Sequence, residues 1–81
     1  MNQYIATFYS HYGAIRYRKI CEERGILAKV MPVPRNLSSS CGTCVGYAAS
    51  EHIIDEKYKD ELEQLVIVKE DGYENIYSSE E

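Results

Sequence analysis

The chain has 81 residues, enough for one domain with a thin apolar core. It carries 9 Lys and Arg against 13 Asp and Glu, a net charge of −4 with no basic cluster or stripe; this argues against a nucleic-acid backbone or an anionic lipid surface as ligand. Met1 to Tyr4 lacks a basic start leading into an apolar run, and no apolar segment approaches the roughly 18 residues of a membrane helix, so a cytoplasmic location is expected.

From Gln3 to Tyr9 both alternating sets, Tyr4-Ala6-Phe8 and Ile5-Thr7-Tyr9, are largely apolar, which predicts a strand covered on both faces. Ser10 then suits a helix N-cap. Ala14, Tyr17, Ile20 and Cys21 recur at helical spacing, with Arg16, Lys19, Glu22 and Glu23 mostly opposite, and Gly25 supplies a C-terminal stop. Ile26 to Val33 reads as a second strand, halted by Pro32 and Pro34. Arg35 to Cys41 is a polar loop and Thr43 to Ala49 a short apolar third strand.

Ser50 and Glu51 look like the start of a second helix, with Ile54, Tyr58, Leu62 and Leu65 as its apolar stripe. Its end is ambiguous. Val66-Ile67-Val68 could instead be a strand turning at Asp71-Gly72, but Val68 continues the stripe, which favours a helix to about Lys69. Tyr73 to Tyr77 is a last strand. The expected domain is residues 1–77, with 78–81 a disordered acidic tail.

The order β-α-β-β-α-β predicts an α+β, ferredoxin-like sandwich with an antiparallel sheet and two helices on one face. The first two strands then run parallel with the third between them. Cys41 and Cys44 fall at the end that holds Tyr9, Ser10, His11 and Tyr12, and the turn at Asp71-Gly72 is expected there too. Eight tyrosines and no tryptophan suit a small core finished at its wet edge by hydroxyls.

The chemistry concentrates in "NLSSSCGTCVGY", Asn36 to Tyr47. Three cysteines make an odd number, a poor basis for a disulfide framework, and a cytosolic Cys-x-x-Cys reads as reactive, metal-binding or incidental. A tetrahedral zinc site wants four ligands; beyond Cys41 and Cys44 only Cys21, His11 and His52 remain, unless two copies share a site. Cys21 is expected in the core and His52 on the surface at the far end.

Met31-Pro32-Val33-Pro34-Arg35, followed by Ser38-Ser39-Ser40-Cys41-Gly42, resembles the PVPR…SSSCG pattern of a family of small bacterial proteins described as Se/S carrier protein-like. The resemblance covers nearly the whole chain. It implies Cys41 as the sulfur- or selenium-bearing residue, with Arg35, Ser39, Ser40 and Gly42 around it. Cys44 departs from the pattern, standing where many relatives have an apolar residue.

A carrier needs an exposed thiolate, and thiols are acidified by cations, helix N-termini and backbone amides. Arg35, the Ser39 to Gly42 amides and the first turn of the helix at Ser10 are candidates for that. His11 is a candidate proton acceptor, and Ser38, Ser39 and Ser40 are candidate hydrogen-bond partners of a persulfide. Cys44 suits a resolving thiol if it is exposed, and a core residue if it points inward. The first functional reading is a small sulfur or selenium carrier, or thiol-redox accessory protein, served by donor and acceptor proteins such as a cysteine desulfurase. It is a carrier rather than a stand-alone enzyme and needs no cofactor. The alternative is a non-enzymatic interaction or regulatory module, open to homodimer formation through an edge strand, that binds zinc or a small ligand at the Cys-x-x-Cys loop.

Overall fold

A computed structural model describes residues 1–54 and 56–79, with the backbone alone at 56–58. Strand β1 is Asn2–Phe8, and all five residues from Tyr4 to Phe8 are buried, as the apolar character of both faces requires. Helix α1, His11–Glu23, starts at Ser10, whose hydroxyl accepts the Gly13 N–H at 3.2 Å. It ends in a Schellman motif. Gly25 lies at φ 77°, the Ile26 N–H bonds the Cys21 carbonyl at 2.9 Å and the Gly25 N–H bonds Glu22 at 3.0 Å.

Strands β2, Ala28–Pro32, and β3, Thr43–Ala49, follow. Strand β3 pairs antiparallel with both β2 and β1, which lie on either side of it. The two expected features of this half, parallel β1 and β2 and an intervening β3, are therefore present.

The second half differs. The two-helix, ferredoxin-like expectation is overturned: the described residues form mainly an antiparallel five-stranded sheet with one α-helix. No helix starts at Ser50. An irregular stretch leads to a 3-10 segment, Glu56–Glu61, and then to β4, Leu62–Lys69. Strand β5 is Gly72–Ser78, and the sheet order is β2-β3-β1-β4-β5. The side chain of Tyr58, part of the expected stripe, lies outside the described residues.

The apolar spacing that suggested a helix is met by a strand covered on both sides. Leu65 and Val66, adjacent in sequence, face opposite sides of the sheet and are both buried. The β-branched run Val66-Ile67-Val68 suits a strand, and the hairpin at Asp71-Gly72 is the reading the sequence left second. That hairpin also lies at the other end from Cys41. Leu62 pairs with Phe8 beside the site, whereas Lys69 and Gly72 close the opposite end.

Tyrosine hydroxyls hold the stretch that replaces the second helix. The Tyr17 O–H donates to the Ile53 carbonyl at 2.6 Å, the Tyr47 oxygen accepts the Ile53 N–H at 3.0 Å, and the two hydroxyls lie 2.9 Å apart. Burial pushes both phenols above their ordinary pKa; the neighbouring Tyr47 adds to the rise at Tyr17, whereas the hydrogen bond with Tyr17 opposes it at Tyr47. Ile53 itself is buried against the same cluster.

Two layers of core result. On the helix face, Phe8, Ala14, Tyr17, Cys21, Val45 and Leu65 belong to the larger cluster. On the other face, Ile5, Cys44 and Val66 are covered by Met31, Val33, Leu37, Val68 and Tyr73. The β2–β3 loop thus folds back over the sheet as a partial second layer, pinned by a 3.1 Å bond from the Tyr73 hydroxyl to Asn36 Oδ1. Ser79, expected in the tail, donates its N–H to the Glu63 carbonyl at 3.1 Å; Glu80 and Glu81 lie outside the described residues. Among the described residues, no helix is long and apolar enough to cross a membrane.

Candidate functional site

The loop carrying Cys41 is closed at its neck by the Val33 N–H on the Gly42 carbonyl, 3.1 Å, and turns at Leu37 N–H to Pro34 C=O, 3.0 Å. Gly42 has φ 77°, a left-handed conformation that a side chain would strain. The chain then enters β3 at Thr43. Cys41 is left half-buried at the loop end, its thiol 3.5 Å from the Thr43 carbonyl.

Thr43 joins the loop to the start of α1. Its hydroxyl lies 2.7 Å from His11 Nδ1. The expected meeting of the Cys loop with the N-terminus of the first helix is therefore present, with Thr43 between Cys41 and His11. The imidazole contacts the hydroxyl of Thr43, while the backbone carbonyl of the same residue faces the thiol. Ser10 serves the helix cap and donates to Glu61 Oε1 at 3.2 Å, so its side chain is engaged away from Cys41.

The serines divide. Ser40 donates twice to one carboxylate, its N–H to Glu63 Oε1 at 3.1 Å and its hydroxyl to Oε2 at 2.7 Å. Ser39 is half-buried and its hydroxyl oxygen has no hydrogen-bond partner among the described residues. Ser38, Ser39 and Ser40 line an open polar cleft of about 500 Å³ with Tyr9, Glu63, Gln64 and Ser78, and the Tyr9 hydroxyl bonds Ser79 beside it. Arg35 is exposed and makes no ion pair among the described residues.

Cys44 points into the core. It is fully buried, its thiol 3.7 Å from the Pro32 carbonyl, and burial, reinforced by Cys41 nearby, pushes its pKa up to about 11. Beside it in register stands Thr7, also fully buried, whose hydroxyl has no hydrogen-bond partner among the described residues. Cys21 is buried under α1 with its pKa likewise raised to about 11 by burial. The thiols are all unbridged. His52 is exposed and meets the Tyr4 ring edge-on, at the far end of β1. Among the described residues, no three His, Cys, Asp or Glu side chains gather as metal ligands.

Sequence reasoning missed Glu63 and Thr43. Glu63 falls within the span expected as a second helix, and only strand pairing brings it beside the serines. Thr43, lying between the two cysteines, offered no signal beyond its position.

The chain matches, over residues 3–78, the family described as "Putative Se/S carrier protein-like". It is also 33% identical over 45 residues to "Uncharacterized protein YtiA" of Escherichia coli (strain K12), a match spanning 56% of this chain and 53% of that protein. The matched segment thus covers about half the length of that relative. No solved structure matches. With the family's match running across nearly every element from β1 to β5, this chain belongs to the Se/S carrier protein-like family.

Proposed function

We propose that this protein carries sulfur or selenium on Cys41 as a persulfide or its selenium counterpart. The observation that carries the reading is the unequal placement of the two cysteines. Cys41 is accessible at the end of a loop rich in hydroxyls and amides, whereas Cys44 is sealed beneath that loop. The exposed Tyr9 and Tyr12 rings beside α1 offer contact area for a donor or acceptor protein.

The loading step is an exchange without net oxidation. The Cys41 thiolate attacks the terminal sulfur of a donor persulfide; the donor S–S bond breaks, a new S–S bond forms on Cys41, and the donor leaves as a thiolate. An acceptor nucleophile then takes the terminal sulfur and frees Cys41. Discharge by Cys44, with attack on Cys41 Sγ and loss of hydrosulfide, requires the loop to open, because the buried thiol is protonated near neutral pH.

The test is intact-mass measurement after incubating the reduced protein with a cysteine desulfurase and cysteine. The expected result is the mass of one added sulfur, retained in Cys44→Ser and absent in Cys41→Ser. An unmodified wild-type protein, or an adduct surviving in Cys41→Ser, would overturn the assignment.

A further inference from the structure

The carboxylate on Ser40 comes from an unusual place in the sheet. Thr7 pairs with Gln64 and Phe8 with Leu62, so Glu63 is the extra residue of a β-bulge. Bulges turn a side chain out of the regular alternation, and here Glu63 reaches the residue preceding Cys41. Both of its oxygens are occupied by one serine, through the backbone N–H and the hydroxyl. A bidentate acceptor of this kind has the shape and charge of one edge of a carboxylate, phosphate or sulfate. Ser39 lines the same cleft, and its hydroxyl oxygen is buried with no hydrogen-bond partner among the described residues. A buried donor without an acceptor is costly unless something completes it.

We infer that the serine loop is a binding site for a small oxyanion and that the Glu63 carboxylate occupies it in the resting chain. The inference rests on the carrier reading for its purpose: an anionic donor group displaces Glu63, takes the Ser40 N–H and hydroxyl, and gains the Ser39 hydroxyl. Glu63 is thus an internal competitor for the site.

The experiment uses the reduced full chain and peptide mapping to read alkylation at Cys41. Two reagents are compared, neutral iodoacetamide and carboxylate-bearing iodoacetate, with inorganic phosphate as the competing anion at constant ionic strength. In Glu63→Gln and Glu63→Ala the iodoacetate rate should rise relative to that of iodoacetamide, since the Ser40 donors are left open to a carboxylate. Charge removal alone would do as much, so phosphate decides. It should slow the iodoacetate reaction saturably in both Glu63 variants. The wild type should need at least about tenfold more phosphate, and Glu63→Ala combined with Ser40→Ala should lose the saturation. Equal phosphate sensitivity in the wild type and the Glu63 variants, or no saturation in any of them, would overturn the inference. Should a Glu63 variant melt early, the Ser40 amide NMR shift of the wild type in a phosphate titration decides the matter: saturation supports the site, and a shift that stays still overturns it. These readouts involve no sulfur donor. A failure of sulfur loading therefore tells against the carrier reading alone, and a flat phosphate response against this site alone.

Discussion

Two cysteines three positions apart have opposite chemistry because one precedes a glycine in a loop and the other sits in a strand. Gly42 makes the difference possible: its positive φ swings the chain from the loop into β3 so that Cys41 stays at the surface and Cys44 enters the lower core. A Cβ at Gly42 would meet nothing within 4 Å, so the cost of a side chain there is conformational. Gly42→Ala should lower stability by about 1 kcal/mol, measured by urea denaturation, and should alter the Cys41 alkylation rate through the displaced loop neck. Wild-type stability in that variant would show that the neck does not depend on the left-handed turn. Gly13 is constrained differently: a Cβ there would come within 2.7 Å of the Glu61 carboxylate that Ser10 bonds and 3.1 Å of the Glu61 Cβ, so a side chain would displace that carboxylate and crowd the 3-10 segment packed on α1.

At the scale of elements, the chain between β3 and β4 does a second helix's work with irregular backbone. Its anchor is the pair of hydroxyls from Tyr17 and Tyr47 around Ile53. Tyr47→Phe leaves the Ile53 N–H buried without its acceptor, a loss of about 1–3 kcal/mol; Tyr17→Phe unpairs the carbonyl of the same residue at similar cost. Because both act on one network, the double variant should cost less than the sum of the singles, as a double-mutant cycle of chemical denaturation would read. Full additivity would separate the two bonds. Helix α1 needs no such help: its Ser10 cap, its buried stripe of Ala14, Tyr17 and Cys21, and its Gly25 stop agree with one another.

For the whole molecule, the sheet has a buried thiol on either side, Cys21 under α1 and Cys44 under the β2–β3 loop. Each has its folded pKa raised to about 11 by burial, above the unfolded value near 8.5. The folded state therefore holds these protons more tightly. The stability this contributes is present below pH ~8.5 and is lost as pH rises toward about 11. Melting temperature should fall across that window, and Cys44→Ala and Cys21→Ala should each flatten the decline while lowering stability at neutral pH. An unchanged alkaline slope in both variants would show that other groups set it.

Much of the first half was legible locally. Strand β1, helix α1 with both its caps, β3 from Thr43 to Ala49, and the meeting of the Cys loop with the start of α1 all follow from nearby residues and short connections. Cys41 was legible as the outstanding residue for the same reason, its loop being marked by prolines, serines and a glycine. The helix from Ser50 was misread because Leu62 and Leu65, which continue the spacing of Ile54 and Tyr58, fit a helical stripe as well as a strand buried on both faces. Which one forms is decided by the pairing of Leu62–Lys69 with β1 and β5, contacts remote in sequence. That pairing also places Glu63 against Ser40, which no local pattern announces. By itself the sequence determined where the reactive loop begins and ends, because proline and glycine act on their own backbone. Only the tertiary structure decided that Cys44 is sealed and that a carboxylate lies against the serines, because burial and charge proximity arise from segments that meet through folding.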